Sequence, residues 1–149
     1  MNSPRKIFHL VSYLQYPLLL AGVWYYIPFL KSLLNHEPDY FFLNNVLIFF
    51  GVAISFSSLQ DPRKTQNKLS RKIWQSPRKG KLAIIYIAAL AFSFIIGGLT
   101  AMYLTSSQES QGISVGITVL GIGLIGLLKT AIEMFENHRR DKNPETTKS

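Results

Sequence analysis

The groups in this chain that could do chemistry are histidines, serines and one glycine motif, and none is spaced for it. His9, His36 and His138 could pair as haem ligands or join carboxylates around a metal. His36 is expected across the membrane from the other two, and the spacing of His9 and His138 suggests no metal site. Each reads as a polar interfacial histidine. Ser55, Ser57 and Ser58 have no evident histidine or lysine base, so helix packing accounts for them better than nucleophilic catalysis. Gly121-x-Gly123-x-x-Gly126 matches a dinucleotide fingerprint, yet it lies inside an apolar helix rather than between a strand and a helix. The chain has no cysteine, which removes disulfides, thiolate nucleophiles and iron–sulfur ligation, and with them the four-helix quinone-linked disulfide oxidases. Neither enzyme chemistry nor a bound cofactor is expected.

The elements that must position these residues are four apolar runs, roughly 7–34, 40–59, 82–105 and 112–128. Each is long enough to cross a hydrocarbon core of about 30 Å as a helix. Fourteen of the sixteen Lys and Arg residues fall in three places: Arg5 and Lys6 before the first run, eight between the second and third, and Arg139, Arg140, Lys142 and Lys148 beyond the fourth. The other two connections carry Glu37, Asp39 and Glu109 and no Lys or Arg. Basic loops stay in the cytoplasm. The pattern therefore predicts an all-α, four-helix transmembrane bundle with both termini inside and a basic cytoplasmic loop between helices 2 and 3. One domain is expected over 1–140, with helices near 7–34, 40–60, 82–105 and 110–136 and a polar tail over 141–149. The first run reads as a retained helix, because its apolar stretch continues through Trp24-Tyr25-Tyr26-Ile27 and the signal-peptidase site is weak. The inner plasma membrane is the expected location.

The net charge of +8 follows the membrane segments, so no nucleic-acid partner is expected. Anionic lipids of the cytoplasmic leaflet are the expected partners of these cations, each adding roughly 1 kcal/mol of attraction. No Asp or Glu lies within any of the four runs. That argues against a proton-coupled pump in one subunit. It also separates the chain from small four-helix multidrug exporters, whose coupling needs a carboxylate in the first helix.

Three patterns remain as candidates. His9, Tyr13, Tyr16 and Trp24 share a face of helix 1, which Pro17 should kink by leaving the Tyr13 carbonyl without its helical donor. Pro28 is expected to mark the outer end of that helix. Asn44, Gly51, Ser55 and Ser58 make a small-polar seam on helix 2, with Phe41, Phe42, Phe49 and Phe50 turned to lipid. The first and second faces together offer a candidate polar groove: His9, Tyr13, Tyr16, Asn44, Ser55 and Ser58. In the inner loop, Asp61-Pro62 looks like a helix start, and 62–75 reads as a solvated loop that only holds topology, with an amphipathic surface helix or a protein-docking element as the alternatives. Lys68, Leu69, Arg71, Lys72, Ile73 and Trp74 are the candidate lipid contacts of such a surface helix.

A further pattern is one of packing. Ala89, Ser93, Gly97 and Ala101 recur every four residues on helix 3, and Gly112, Gly116, Gly123 and Gly126 share an arc of helix 4. These two stripes are expected to face one another in a tight antiparallel hairpin, with a second subunit as the alternative partner. The expected function is that of a non-enzymatic accessory or scaffold subunit in a larger membrane complex, bound to other subunits or to itself. A small oligomeric channel or carrier and an anionic-lipid-binding protein are the two rivals.

Overall fold

The computed structural model describes residues 4–60 and 68–142, and every regular element among them is an α-helix. In chain order these are α1 (Pro4–Ser12), α2 (Gln15–Leu34), α3 (Tyr40–Ser57), α4 (Lys68–Gln75), α5 (Pro77–Leu104) and α6 (Gln108–His138). Four segments are long and apolar enough to cross a membrane: Ile7–Leu34, Tyr40–Ser57, Pro77–Leu104 and Gln111–His138. The expected helix start at Asp61-Pro62 and most of the expected polar tail lie outside the described residues.

Large apolar side chains are on the outside and small ones within. Leu20, Trp24, Ile85, Ile96 and Tyr103 are among the most exposed. Apart from glycines, the buried positions among the described residues are Val46, Ala53, Ala91, Ala131 and Phe135, together with Ser12, Gln15, Ser114 and Thr130. Water would penalise such an exterior heavily, whereas lipid tails solvate it. With no hydrophobic drive between helices in lipid, small residues let backbones come close enough for dispersion and polar contacts to hold them together.

Pro17 divides the first span. Helix α1 stops at Ser12, and α2 restarts at Gln15 so that Pro17 falls within its first turn, where a missing N–H costs little. The Tyr13 carbonyl does not stay without a donor: the Tyr16 N–H reaches it at 3.1 Å in a tighter turn. Pro28 is not the outer end. It sits inside α2, which continues to Leu34 and closes on His36, whose φ of 61° places it in the left-handed region. The Glu37 N–H reaches back to the Ser32 carbonyl and the His36 N–H to that of Leu33, a Schellman closure. Asp39 then caps α3 by accepting from the Phe41 N–H at 3.0 Å.

The spans pack in the order α2, α3, α6, α5, with α6 against both α3 and α5, and α2 close to α3 alone among the spans. Helix α4 lies across the ends of α5 and α6. Two faces of α6 explain its glycine content. On the first, Gly116 meets Asn44 and Leu47 of α3, Gly126 meets Ser58, and Gly123 faces the Gly51 carbonyl. A Cβ on Gly51 would in turn stand 2.7 Å from the Val119 carbonyl oxygen. The opposite face turns Gly121 toward Ala91 and Ile95 of α5, while Ser114 and Thr118 receive Gly98.

This corrects the expected pairing of stripes. The helix 4 glycines Gly112, Gly116, Gly123 and Gly126 face α3, not α5. Helix α5 meets α6 through Ala91, Ile95 and Gly98, which leaves Ala89, Ser93 and Gly97 exposed on its outer side and Ala101 half-exposed. The hairpin itself is present, since α5 and α6 are antiparallel neighbours joined by a short turn. The phenylalanines differ too. Phe41 is exposed, but Phe50 packs over Gly22 and Phe49 stacks on Tyr25 at 5.5 Å, so both fill the α2–α3 contact.

Candidate functional site

The six residues of the expected polar groove do not share one. His9, Tyr13 and Tyr16 form an exposed ladder of rings across the α1–α2 break, with centroids 5.4 and 6.1 Å apart. Asn44 and Ser55 lie on α3 and Ser58 caps its end, and the two serines have partners of their own. Ser55 donates to the Gly51 carbonyl at 3.1 Å and Ser58 to the Ser55 carbonyl at 2.6 Å. Thr130 of α6 donates to the Ser58 carbonyl at 2.9 Å, tying the ends of the two helices together. The Asn44 Oδ1 is buried with no N–H or O–H donor. A Cβ on Gly116 would stand 2.7 Å from it, so a Gly116 Cα–H points at this oxygen, a weak contact worth about 0.5–1 kcal/mol.

The outer side of α5 is a different kind of surface. Nothing lies within 4 Å of where a Gly97 side chain would begin. Ser93 and Ala89 continue this shallow strip toward the basic end, with Phe92 and Ile96 exposed beside it.

At the basic end, charge converges. Lys68, Arg71, Lys72 and Gln75 fall at i, i+3, i+4 and i+7, one face of α4. That face lines a cleft of about 500 Å³, which Ser76, Pro77, Lys79 and Arg140 complete. Two bonds hold its wall: the Arg140 N–H to the Gln75 carbonyl at 3.3 Å, and the Arg140 Nη2 to the Gln75 Oε1 at 3.0 Å. Behind it, the buried Phe135 ring presses against Gly80, where a Cβ would overlap it. Arg139 lies 5.1 Å over the same ring and bonds Glu136 and Asp141, and Lys142 also bonds Glu136. The hydrogen bond from Arg139 holds the Asp141 carboxyl below its ordinary value, against a smaller opposing effect of burial.

Of the candidate lipid contacts, Lys68, Arg71 and Lys72 line this cleft. Ile73 and Trp74 do not, and both are half-exposed. The Trp74 Nε1 donates to the Ser70 Oγ of its own helix at 2.9 Å. Leu69 lies in α4, its side chain outside the described ones. Lys79, Gln75 and Arg140 escape sequence reading because Arg140 lies 65 residues beyond Gln75, with no local pattern linking them. Among the described residues, no three His, Cys, Asp or Glu side chains gather as a metal site.

Searches against protein-family models, curated proteins and solved structures find no match to this chain. Its own residues carry the functional reading.

Proposed function

We propose that the protein is a non-enzymatic accessory subunit of a membrane assembly, docked through the outer strip of α5 onto a transmembrane helix of a partner. The open face at Gly97 carries this reading. Elsewhere in the spans, Gly22, Gly51, Gly98, Gly116, Gly121, Gly123 and Gly126 are each closed by a neighbouring helix. The Ala89–Ser93–Gly97–Ala101 strip has the same small-residue spacing, which favours close helix approach, and α6 does not cover it. The rival reading, an oligomeric channel or carrier, needs a polar path. The contact of Asn44 and Ser58 with α6 removes one lining for it and so supports the accessory reading.

Gly97→Ile tests the proposal. Nothing in the protomer opposes the new side chain, so thermal stability in detergent should stay within about 0.5 kcal/mol of wild type. Co-purification of the partner from native membranes should be lost, and a photo-crosslinker at Ser93 should capture it in the parent protein. Unchanged recovery by Gly97→Ile would sink the docking face, while crosslinks to the same chain alone would favour a self-assembled carrier.

The basic end is assigned to the cytoplasm of an inner membrane, on the strength of its Lys and Arg content. A reporter active only outside the cytoplasm should be active after Glu37 or Glu109, and silent after Lys68 or Ser149. The opposite pattern would invert the molecule.

A further inference from the structure

We propose that the cleft between α4, the start of α5 and the turn after α6 binds a phosphate-bearing anion, with the phosphate group as the recognised element. This site is independent of the α5 docking face. Five of its lining side chains are cationic, namely Lys68, Arg71, Lys72, Lys79 and Arg140, and among the described residues no carboxylate lines it. Among the described residues, the acids beside Arg139 are engaged elsewhere, Asp141 by Arg139 and Glu136 by Arg139 and Lys142. Lys68, Lys72, Lys79 and Arg140 around one cleft repel each other, and a multiply charged anion offsets that repulsion better than a single carboxylate.

The cleft is a built feature rather than a stretch of basic loop. Periodicity puts three of the cations on one face of α4. The Arg140–Gln75 bonds fix that face against the end of α6, and Phe135 on Gly80 fixes the start of α5. Arginine offers a planar fork of donors and lysine compact point charges, the pair of donor types suited to phosphate oxygens. The start of α5 adds to this. Its Ser76 cap makes no side-chain hydrogen bond and Pro77 occupies the first turn, so backbone donors at the positive end of a 28-residue helix lie beside the cleft without a side-chain cap. A volume of about 500 Å³ falls in the usual range for small-ligand sites and leaves room for the ester group that carries the phosphate.

Two sources share this chemistry, a phospholipid headgroup and a soluble phosphomonoester. The test uses the full chain in phosphatidylcholine nanodiscs. In one arm the discs carry increasing phosphatidate; in the other, inorganic phosphate and glycerol phosphate are titrated into discs without it. Thermal unfolding and bound-ligand mass spectrometry are read in both. Saturable stabilisation in the first arm alone assigns the headgroup, and in the second a soluble ligand. Lys72→Gln with Lys79→Gln, both exposed positions, should weaken binding about 25-fold, each charge counting for roughly a factor of five. The matched pair Lys81→Gln with Lys129→Gln removes equal charge outside the cleft and should change it less than about threefold, because those charges act through screened solvent. Equal weakening by the two pairs would show diffuse surface attraction and overturn the site, as would the absence of saturable stabilisation in both arms.

Discussion

Gly123→Ile should lower the unfolding midpoint by about 6–12 °C, a loss of about 3 kcal/mol, and disperse α3 from α6. A side chain at Gly123 begins on the Gly51 carbonyl oxygen. Backbone meets backbone there, so no rotamer change relieves the clash and one helix must move. The same separation strains three neighbouring contacts: Gly51 with the Val119 carbonyl, Gly116 with Asn44, and the Thr130 hydroxyl with the Ser58 carbonyl. Gly97→Ile is the internal control, with identical chemistry on a helix face that no other helix covers. Thermal unfolding of both variants in one detergent checks the contrast. An equal fall in the two midpoints would mean that isoleucine acts through the helix itself and not through the α3–α6 crossing.

Phe135→Ala should cost about 3–5 kcal/mol, the range for truncating a buried aromatic. Phe135 is only 4% exposed, and its ring is what Gly80 accommodates at the start of α5. Without it, the Arg139 guanidinium loses its aromatic platform and the α6 end no longer braces α5. Amide exchange should accelerate at the start of α5 and around residues 136–140, while the Gly51–Gly123 region keeps its protection. A double-mutant cycle makes the test specific. Gly80→Val alone collides with the ring, so combined with Phe135→Ala it should cost less than the sum of the two single changes. Strict additivity would separate the two residues energetically and remove the proposed brace.

Much of this architecture is legible in the residue order because the membrane imposes simple constraints. A span needs a long apolar run, and a helix is the open-chain form that satisfies its own backbone in lipid. The four runs therefore appear as four helical spans, the first of them broken between Ser12 and Gln15. Pro17 announces a break because it cannot donate a backbone hydrogen bond, although only the structure shows that Tyr16 supplies the Tyr13 carbonyl instead. The gathering of cations at one end follows from the number of crossings: an even number of spans brings the basic connections to the same side.

Which faces meet was a matter for the tertiary structure. Helix α5 has small residues on two sides, Ala91 and Gly98 on one and Ala89, Ser93 and Gly97 on the other, and the four-residue repeat favours the second. The choice falls to α6, which lies between α3 and α5 and presents glycine to both. Its Gly112–Gly116–Gly123–Gly126 arc is used by α3, so α5 takes the Gly121 side. The cleft has the same origin. Three of its cations are readable on α4, but Lys79 and Arg140 join them only because Phe135 and the Gln75 bonds bring three chain segments to one end. Periodicity reports a residue's position around its own helix. The neighbour it meets depends on how all the spans pack at once, and that information is not local to any of them.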